Sequence, residues 1–282
     1  MTTVATIAET VQNAAQTLAP HSESPRLDAE VLLATLLGLP RSALIARSAE
    51  PVALQEESAY ADLIAKRAGG VPIAYLTGSR EFWSLSLKVS PAVLVPRPET
   101  EILVERALTL LPRDAHREVL DLGTGSGAIA LSLAHERPRW AITAVDISPA
   151  ALEVAALNAQ ALKISHIKWR LGSWFDPVPL QRFHLIVANP PYIAAKDPAL
   201  AALSAEPAAA LIAGPTGIEA LSAIIAQAPD HLHAGGWLGL EHGIDQAHDV
   251  AELLQARGFD SIRTYSDLSG RPRVTLGVHT QH

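Results

Sequence analysis

The 282-residue chain has no cysteine, a single methionine and only 5% aromatic residues. Without cysteine there are no disulfides and no thiolate metal ligands, so the fold must rest on an apolar core. Basic blocks are also missing: 22 Lys and Arg are scattered among 29 Asp and Glu, for a formal charge of −7. Affinity for bare nucleic acid depends largely on neutralising phosphates, and this chain lacks that footprint. No apolar run reaches the roughly 20 residues that cross a bilayer. The start, Met1-Thr2-Thr3-Val4-Ala5-Thr6-Ile7-Ala8-Glu9, has neither a basic segment nor a long apolar stretch, so it is not read as a secretory signal. A cytoplasmic chain without membrane contact is expected. Histidines form loose sets, His231 with His233 and His242 with His248, and His135-Glu136 lacks the second histidine of a zinc-protease helix. No metal is expected.

What is present is a change of periodicity. A helix is expected over Ile7–Leu18. Ser24 is placed as N-cap and Pro25 as first helical residue of a second, in which Leu27, Val31, Leu32 and Leu36 recur at helical spacing before Gly38 and Pro40 end it. Pro51 to Ala68 reads as a further helix, closed by Gly69-Gly70. From Phe82 to Val95 the alternation predicts a short hairpin, interrupted at Ser90-Pro91. After Pro98, helices alternate with strands expected at 119–122, 142–146, 167–171, 183–188, 236–240, 261–265 and 274–278. No helix fits between the last two, which predicts one antiparallel strand in a mostly parallel sheet. The expected division is a helical domain over 1–81, a linker hairpin over 82–98 and an α/β domain over 99–282. The alanine-rich stretch Ala194–Ala213 reads as a mobile loop over the site.

Two turns carry chemistry. Val119-Leu120-Asp121-Leu122 leads into Gly123-Thr124-Gly125-Ser126-Gly127 and then a helix-like run. Glycines allow a tight turn and close approach of a ligand, and the helix start offers free N–H groups. The spacing G-x-G-x-G differs from the dinucleotide fingerprint, and Asp121 favours a cationic group over a phosphate. Asp146 ends the next strand about 20 positions on, the distance at which an acid reaches ribose hydroxyls. The plain alternative is a βαβ turn without a ligand.

The second turn is Asn189-Pro190-Pro191-Tyr192, directly after the apolar run 183–188. Both prolines lack N–H groups and have fixed φ, and Pro190 holds Asn189 extended. The Asn189 side-chain oxygen and the Pro190 carbonyl are then two acceptors on a stiff corner, with the Tyr192 ring as a wall. Such a corner suits a planar NH2 group. A proline-rich turn with a chance tyrosine is the alternative.

Together these pieces resemble class I S-adenosylmethionine-dependent methyltransferases. Further segments narrow the resemblance: Ser24-Pro25-Arg26-Leu27-Asp28, Gly78-Ser79-Arg80-Glu81-Phe82-Trp83, Leu94-Val95-Pro96-Arg97-Pro98-Glu99 and Arg273-Val274-Thr275-Leu276-Gly277. In order and spacing they look like the bacterial HemK-type peptide chain release factor glutamine methyltransferases. One stretch departs: 197–207 lacks the Arg and Phe of the family's Asp-Val-Arg-Phe-Glu-Pro-like element.

The resemblance implies a Rossmann-like sheet with a small helical domain that docks the protein substrate. It implies S-adenosylmethionine as cofactor, held by Asp121, Gly123, Thr124, Gly125, Ser126, Gly127, Asp146, Trp174 and Asn189. Trp174 would line an adenine pocket; a buried anchor is the other reading. The implied reaction methylates the glutamine side-chain nitrogen in the Gly-Gly-Gln motif of release factors. Asn189, Pro190 and Tyr192 would act on the substrate amide, with Pro191 completing the corner. Arg97 and Glu99 either contact substrate or pair at the domain junction. The alternative is an amino-methyltransferase acting on adenine or guanine; acidic balance and the helical module favour protein.

Overall fold

Helical periodicity dominates the first quarter of the chain and sets its packing. In this computed structural model residues 5–280 are described, so Met1–Val4 of the start read above lie outside the described residues. The chain divides into two units: one runs to Gly78 and includes Ala202–Ala205, the other comprises Ser79–Ala201 and the chain from Glu206 on. The smaller unit holds α1 (Ile7–Leu18), α2 (Pro25–Leu37), α3 (Arg41–Ala46), α4 (Leu54–Ala68) and α5 (Ile73–Thr77). Thr6 and Glu9 cap α1 reciprocally, Thr6 N donating to the Glu9 carboxylate at 2.9 Å and Glu9 N to Thr6 Oγ1 at 3.3 Å. Ile7, Val11 and Leu18 meet Leu32, Leu33, Tyr60 and Ile64 in one core. The Tyr60 hydroxyl is satisfied by Ala29 O at 2.8 Å.

Two local expectations change. Ser24 occupies the N-cap position before Pro25 but makes no capping bond; its hydroxyl turns to Asp28, 3.4 Å away. The helix expected from Pro51 starts at Leu54, because 50–52 is drawn out extended against the start of α1. Pro51 bridges Thr6, Ile7 N donates to Glu50 O at 2.9 Å and Val52 N to Ala5 O at 2.9 Å.

The larger unit opens with a hairpin of β1 (Ser79–Phe82) and β2 (Leu85–Lys88), which begins before the stretch read from alternation and ends within it, with Ser90-Pro91 beyond its second strand. Its turn is Trp83-Ser84, with φ of 51° and 59°. Both values belong to a left-handed two-residue turn that normally takes Asn or Gly. Trp83 is held there by donation of its backbone N–H to Glu101 at 2.9 Å and of its indole N–H to Glu136 at 3.0 Å.

Then come α6 (Thr100–Leu110), β3 (Glu118–Leu122), α7 (Ala128–Glu136), β4 (Ala141–Asp146), α8 (Pro149–Ala161), β5 (Ile167–Leu171) and β6 (Phe183–Ala188). A short parallel pair, β7 (Ile193–Ala194) and β8 (Ile212–Gly214), brackets the alanine-rich segment. The chain continues through α9 (Glu219–Gln227), β9 (Leu232–Glu241), α10 (Ala247–Ala256), β10 (Phe259–Ser266) and β11 (Pro272–His279). The main sheet has order β10-β11-β9-β6-β3-β4-β5, with β11 antiparallel to both neighbours and the remaining pairs parallel. α6 and α7 bury Leu103, Val104, Leu131 and Leu133 on one face; α9 and α10 bury Leu221, Ile224, Val250 and Leu254 on the other. Each such side chain stabilises the fold by roughly 1.5–3 kcal/mol relative to exposure.

The strand order reverses between β3 and β6, and a reversal opens a crevice beyond the strand ends. Register places Leu122 opposite Ala188, so the glycine turn and Asn189 leave the sheet side by side.

Asn158 of α8 ties two pieces of this unit together. Its Oδ1 accepts from Lys88 N at 2.7 Å, and its Nδ2 donates to Lys88 O at 3.0 Å and Ser126 O at 2.9 Å. Asn158 is fully buried, so Asn158→Ala strands the Lys88 and Ser126 backbone groups. The expected loss is about 2–4 kcal/mol, read as a lower urea midpoint at unchanged m-value.

Candidate active site

The crevice is a cavity of about 570 Å³, within the size range of small-molecule and cofactor sites. Its walls come from the glycine turn, the ends of β4 and β6, the Trp174 turn, and the segments 92–97 and 207–213.

Gly123, Thr124, Gly125 and Ser126 line it. Gly125 has φ +56° with open space where a Cβ would stand, so the conformation, not crowding, demands glycine there. At Gly127 both apply: φ is +82° and a Cβ would come within 2.9 Å of Leu131. Gly127 packs the turn against α7 and is absent from the cavity wall.

Asp146 lines the cavity, and its two oxygens already have backbone partners. Gly125 N donates to Oδ2 at 2.8 Å and Ser148 N to Oδ1 at 2.9 Å. The carboxylate therefore shapes the turn while facing the crevice. Beside it Ile147, 66% exposed, presents an apolar side chain to the cavity. The sequence reading passed over Ile147, whose signal was an apolar residue directly after the strand-ending acid.

Asp121 is elsewhere. It is completely buried and is not part of the cavity wall. Its Oδ2 accepts from the Thr124 hydroxyl at 2.6 Å and from Ala130 N at 3.2 Å, while Oδ1 is buried without a partner. It thus supplies the α7 start with the side-chain acceptor that Gly127 cannot offer. Burial pushes its carboxyl up to about 7, against the lowering effect of those two donors.

Trp174 lines the cavity with φ +41°, a strained value for a bulky residue. Its ring closes on the glycine turn: a Cβ at Gly123 would lie 3.7 Å from it. Backbone strain of this kind collects at functional sites.

Of the proline corner, Asn189 and Pro191 line the cavity, whereas Pro190 and Tyr192 stand behind the wall. Asn189 Nδ2 donates to Thr100 Oγ1 at 3.1 Å, leaving Oδ1 as its acceptor. The Tyr192 hydroxyl donates to Glu241 Oε1 at 3.4 Å, and burial and this carboxyl raise the phenol's pKa well above its ordinary value. Thr100 and Glu241 were not singled out from sequence, because nothing local connects them to the corner.

Arg97 also lines the cavity and pairs with Glu206, a partner from the segment that departs from the family pattern. Glu206 is buried and takes Val95 N on its other oxygen at 3.0 Å. This anchors the segment whose Pro207, Ala209 and Ala210 form part of the wall.

Among the described residues one group has metal-ligand spacing: Glu118, His184 and His233, with ligand atoms within 4.8 Å of one another. It lies at the opposite, amino-terminal ends of β3, β6 and β9, and Glu118 bonds His233 at 3.0 Å. His231, grouped with His233 in the sequence, instead stacks on Phe175. No helix among the described residues is long and apolar enough to cross a membrane.

Residues 9–78 match the PrmC N-terminal domain family, and residues 99–213 match the methyltransferase small domain family. The release factor glutamine methyltransferase of Coxiella burnetii is 45% identical over 96% of this chain and 98% of its own length. That of Pseudomonas aeruginosa is 47% identical over 98% of this chain and 99% of its own. Among solved structures, a T. thermophilus 16S rRNA methyltransferase in complex with AdoMet and guanosine has a TM-score of 0.54 at 19% identity, covering 71% of this chain and 49% of that one. This last likeness shows a shared fold alone.

The state of Asp121 sets a pH dependence. A carboxyl whose folded pKa is raised binds its proton more tightly folded than unfolded. The pH-dependent cost of burying it is therefore absent below the unfolded value near 4 and grows as pH rises to about 7. Asp121→Asn removes that cost, so the variant should gain on the parent between about pH 4 and 7. Urea unfolding of both proteins at steps across this window checks it; a constant difference would show that Asp121 titrates normally.

Proposed function

The chain belongs to the release factor glutamine methyltransferases, and on that premise we propose how its own residues bring a glutamine amide to the methyl donor. It is an S-adenosylmethionine-dependent enzyme that methylates the side-chain nitrogen of a glutamine in peptide chain release factors; the Gly-Gly-Gln motif is the proposed target. The observation that carries the residue assignment is the cavity shared by the glycine turn and Asn189 at the strand reversal.

The site fits the cofactor in chemistry and size. Asp146 faces the cavity as an acceptor for ribose hydroxyls, Ile147 and Trp174 offer apolar surface for adenine, and Gly123 and Gly125 leave the turn without side chains where the methionine part would lie. Thr124 and Ser126 complete that turn, and Gly127 seats it on α7. Asp121 acts from behind, holding Thr124 and the α7 start. When bound, S-adenosylmethionine supplies a methyl group activated by a cationic sulfur.

The chain's task is orientation and electrostatics. An amide nitrogen is a weak nucleophile because its lone pair is delocalised. Pro190 is not part of the wall, but its carbonyl directly follows the wall residue Asn189 and is assigned, with Asn189 Oδ1, to accept the two amide hydrogens, raising electron density on nitrogen and aiming it across the cavity. Positive charge developing on nitrogen strengthens both bonds, so they stabilise the transition state more than the ground state. Alignment of this kind is worth up to about 7–11 kcal/mol in favourable systems. Pro191 stiffens the corner and Tyr192 backs it. The helical unit is proposed to dock the release factor, with the protein acting in the cytoplasm.

Two variants separate cofactor from substrate roles. Asp146→Ala should weaken cofactor binding by about 1.5–3 kcal/mol per charge-assisted hydrogen bond lost, measured by calorimetry. Asn189→Ala should instead depress turnover far more than cofactor affinity. Near-normal methyl transfer by a folded Asn189→Ala protein would defeat the amide clamp. The activity itself is tested by incubating enzyme, labelled cofactor and purified release factor, with duplex DNA and structured RNA as competitors, and mapping the labelled residue by mass spectrometry. Label in nucleic acid with none in protein would favour the nucleobase reading.

A further inference from the structure

The Glu241 carboxyl lies behind the proline corner and has no part in the reading above. It stands one residue past Leu240 of β9, whose register partner on β6 is Ala188, so Glu241 is level with Asn189. On its other side it is opposite Val274 of β11. It is 1% exposed and does not line the cavity. Its Oε1 receives the Tyr192 hydroxyl at 3.4 Å and its Oε2 is buried without a hydrogen-bond partner, while the Thr100 hydroxyl stands near enough to lower the carboxyl's pKa without making a hydrogen bond to it in this geometry. That hydroxyl oxygen is the one that accepts from Asn189.

A hydroxyl has one hydrogen and two lone pairs. A small rotation would give the Thr100 hydrogen to the partnerless Glu241 Oε2, and the Thr100 oxygen could then only accept from Asn189. The Asn189 amide, whose two ends have nearly the same shape, must then turn its NH2 to Thr100 and keep Oδ1 as acceptor. We propose that Glu241 is a positioning residue for methyl transfer, fixing the Asn189 amide through Thr100 and bracing the corner through Tyr192. The proposal rests on the reading of Asn189 as the amide clamp.

The charge state matters to this relay. Burial raises the Glu241 carboxyl to about 7, with Glu99 adding to the rise and Thr100, Arg273 and Tyr192 opposing it. The adjacent His242 is occupied, its ring bonded to Thr275 Oγ1 at 2.8 Å and Gly243 O at 2.8 Å, and burial lowers its pKa. Above about 7 the carboxylate has no hydrogen of its own and is free to accept from both hydroxyls. Below it, the carboxylic acid has a hydrogen to donate, and the Thr100 oxygen it meets is the one Asn189 needs. Turnover should therefore rise as pH increases through about 7.

The test is Glu241→Gln, which keeps the shape but presents an NH2 group to the corner. At about pH 8 its kcat should fall at least about tenfold, with KM for release factor and Kd for S-adenosylmethionine within about twofold of the parent. The rise in kcat through neutrality should disappear. Thr100→Val should behave alike, Thr100→Ser should restore most of the loss, and the Glu241→Gln/Thr100→Val double variant should be no worse than either single one. If Glu241→Gln keeps kcat and the pH limb while Asn189→Ala is inactive, the positioning role is overturned and the clamp stands. An active Asn189→Ala protein overturns the clamp itself. A Glu241→Gln protein that loses urea stability and cofactor affinity, with kcat at saturation unchanged, shows a merely structural role and also overturns the proposal.

Discussion

The reversal of strand order between β3 and β6 is the constraint on which the site depends. Parallel strands buried on both faces leave functional groups few places except the strand ends. Where the order reverses, the connections leave to opposite sides and a crevice stays open between them. The glycine turn after β3, Asp146 at the end of β4 and Asn189 after β6 therefore converge although they are far apart in sequence. No side chain needs an unusual path to reach the cavity, because the register delivers each backbone there.

Carboxylates also brace the walls of this crevice, most of them from behind. Asp121 carries the α7 start and Thr124, Glu206 carries Val95 N and Arg97, and Asp146 carries Gly125 N and Ser148 N. Each satisfies backbone N–H groups that a tight turn cannot pair internally, and an unmet buried donor would cost about 1–3 kcal/mol. Asp121 and Glu241 also meet a desolvation cost that lifts both to about 7. Charge is therefore spent on geometry first, and only Asp146 of these acids faces the cavity.

Local grammar made much of this legible. Buried strands read as apolar runs, their last residues are followed by glycine, acid or Asn-Pro, and the absence of room for a helix between 266 and 272 foretold the antiparallel β11. Local grammar failed where tertiary contacts overrule it. The Trp83-Ser84 turn has neither the Asn nor the Gly that its left-handed geometry favours and is held by Glu101 and Glu136. Pro51 and Val52 are pulled out of α4 by pairing with the segment before α1. Thr100 and Glu241 lie 89 and 49 positions from the corner residues they touch, Asn189 and Tyr192. Only the register of β6 with β9 brings Glu241 beside Asn189, and a register is not written in either strand alone.

The composition of the corner bears on which atom of an amide reacts. A glutamine side chain offers two hydrogens on nitrogen and two lone pairs on oxygen. Pro190 and Pro191 have no N–H, and one of the two hydrogens of the Asn189 NH2 is taken by Thr100, which turns that end of the amide away from a bound substrate. A corner so poor in donors offers little to the glutamine oxygen and, on the proposed reading, two acceptors for its nitrogen. On the proposed reading, binding the amide in reverse would set lone pair against lone pair and leave all four groups unpaired. Nitrogen is then the atom presented to the methyl group even though oxygen is the more electron-rich end of a free amide. Selection between the two ends comes from the donors that this turn lacks.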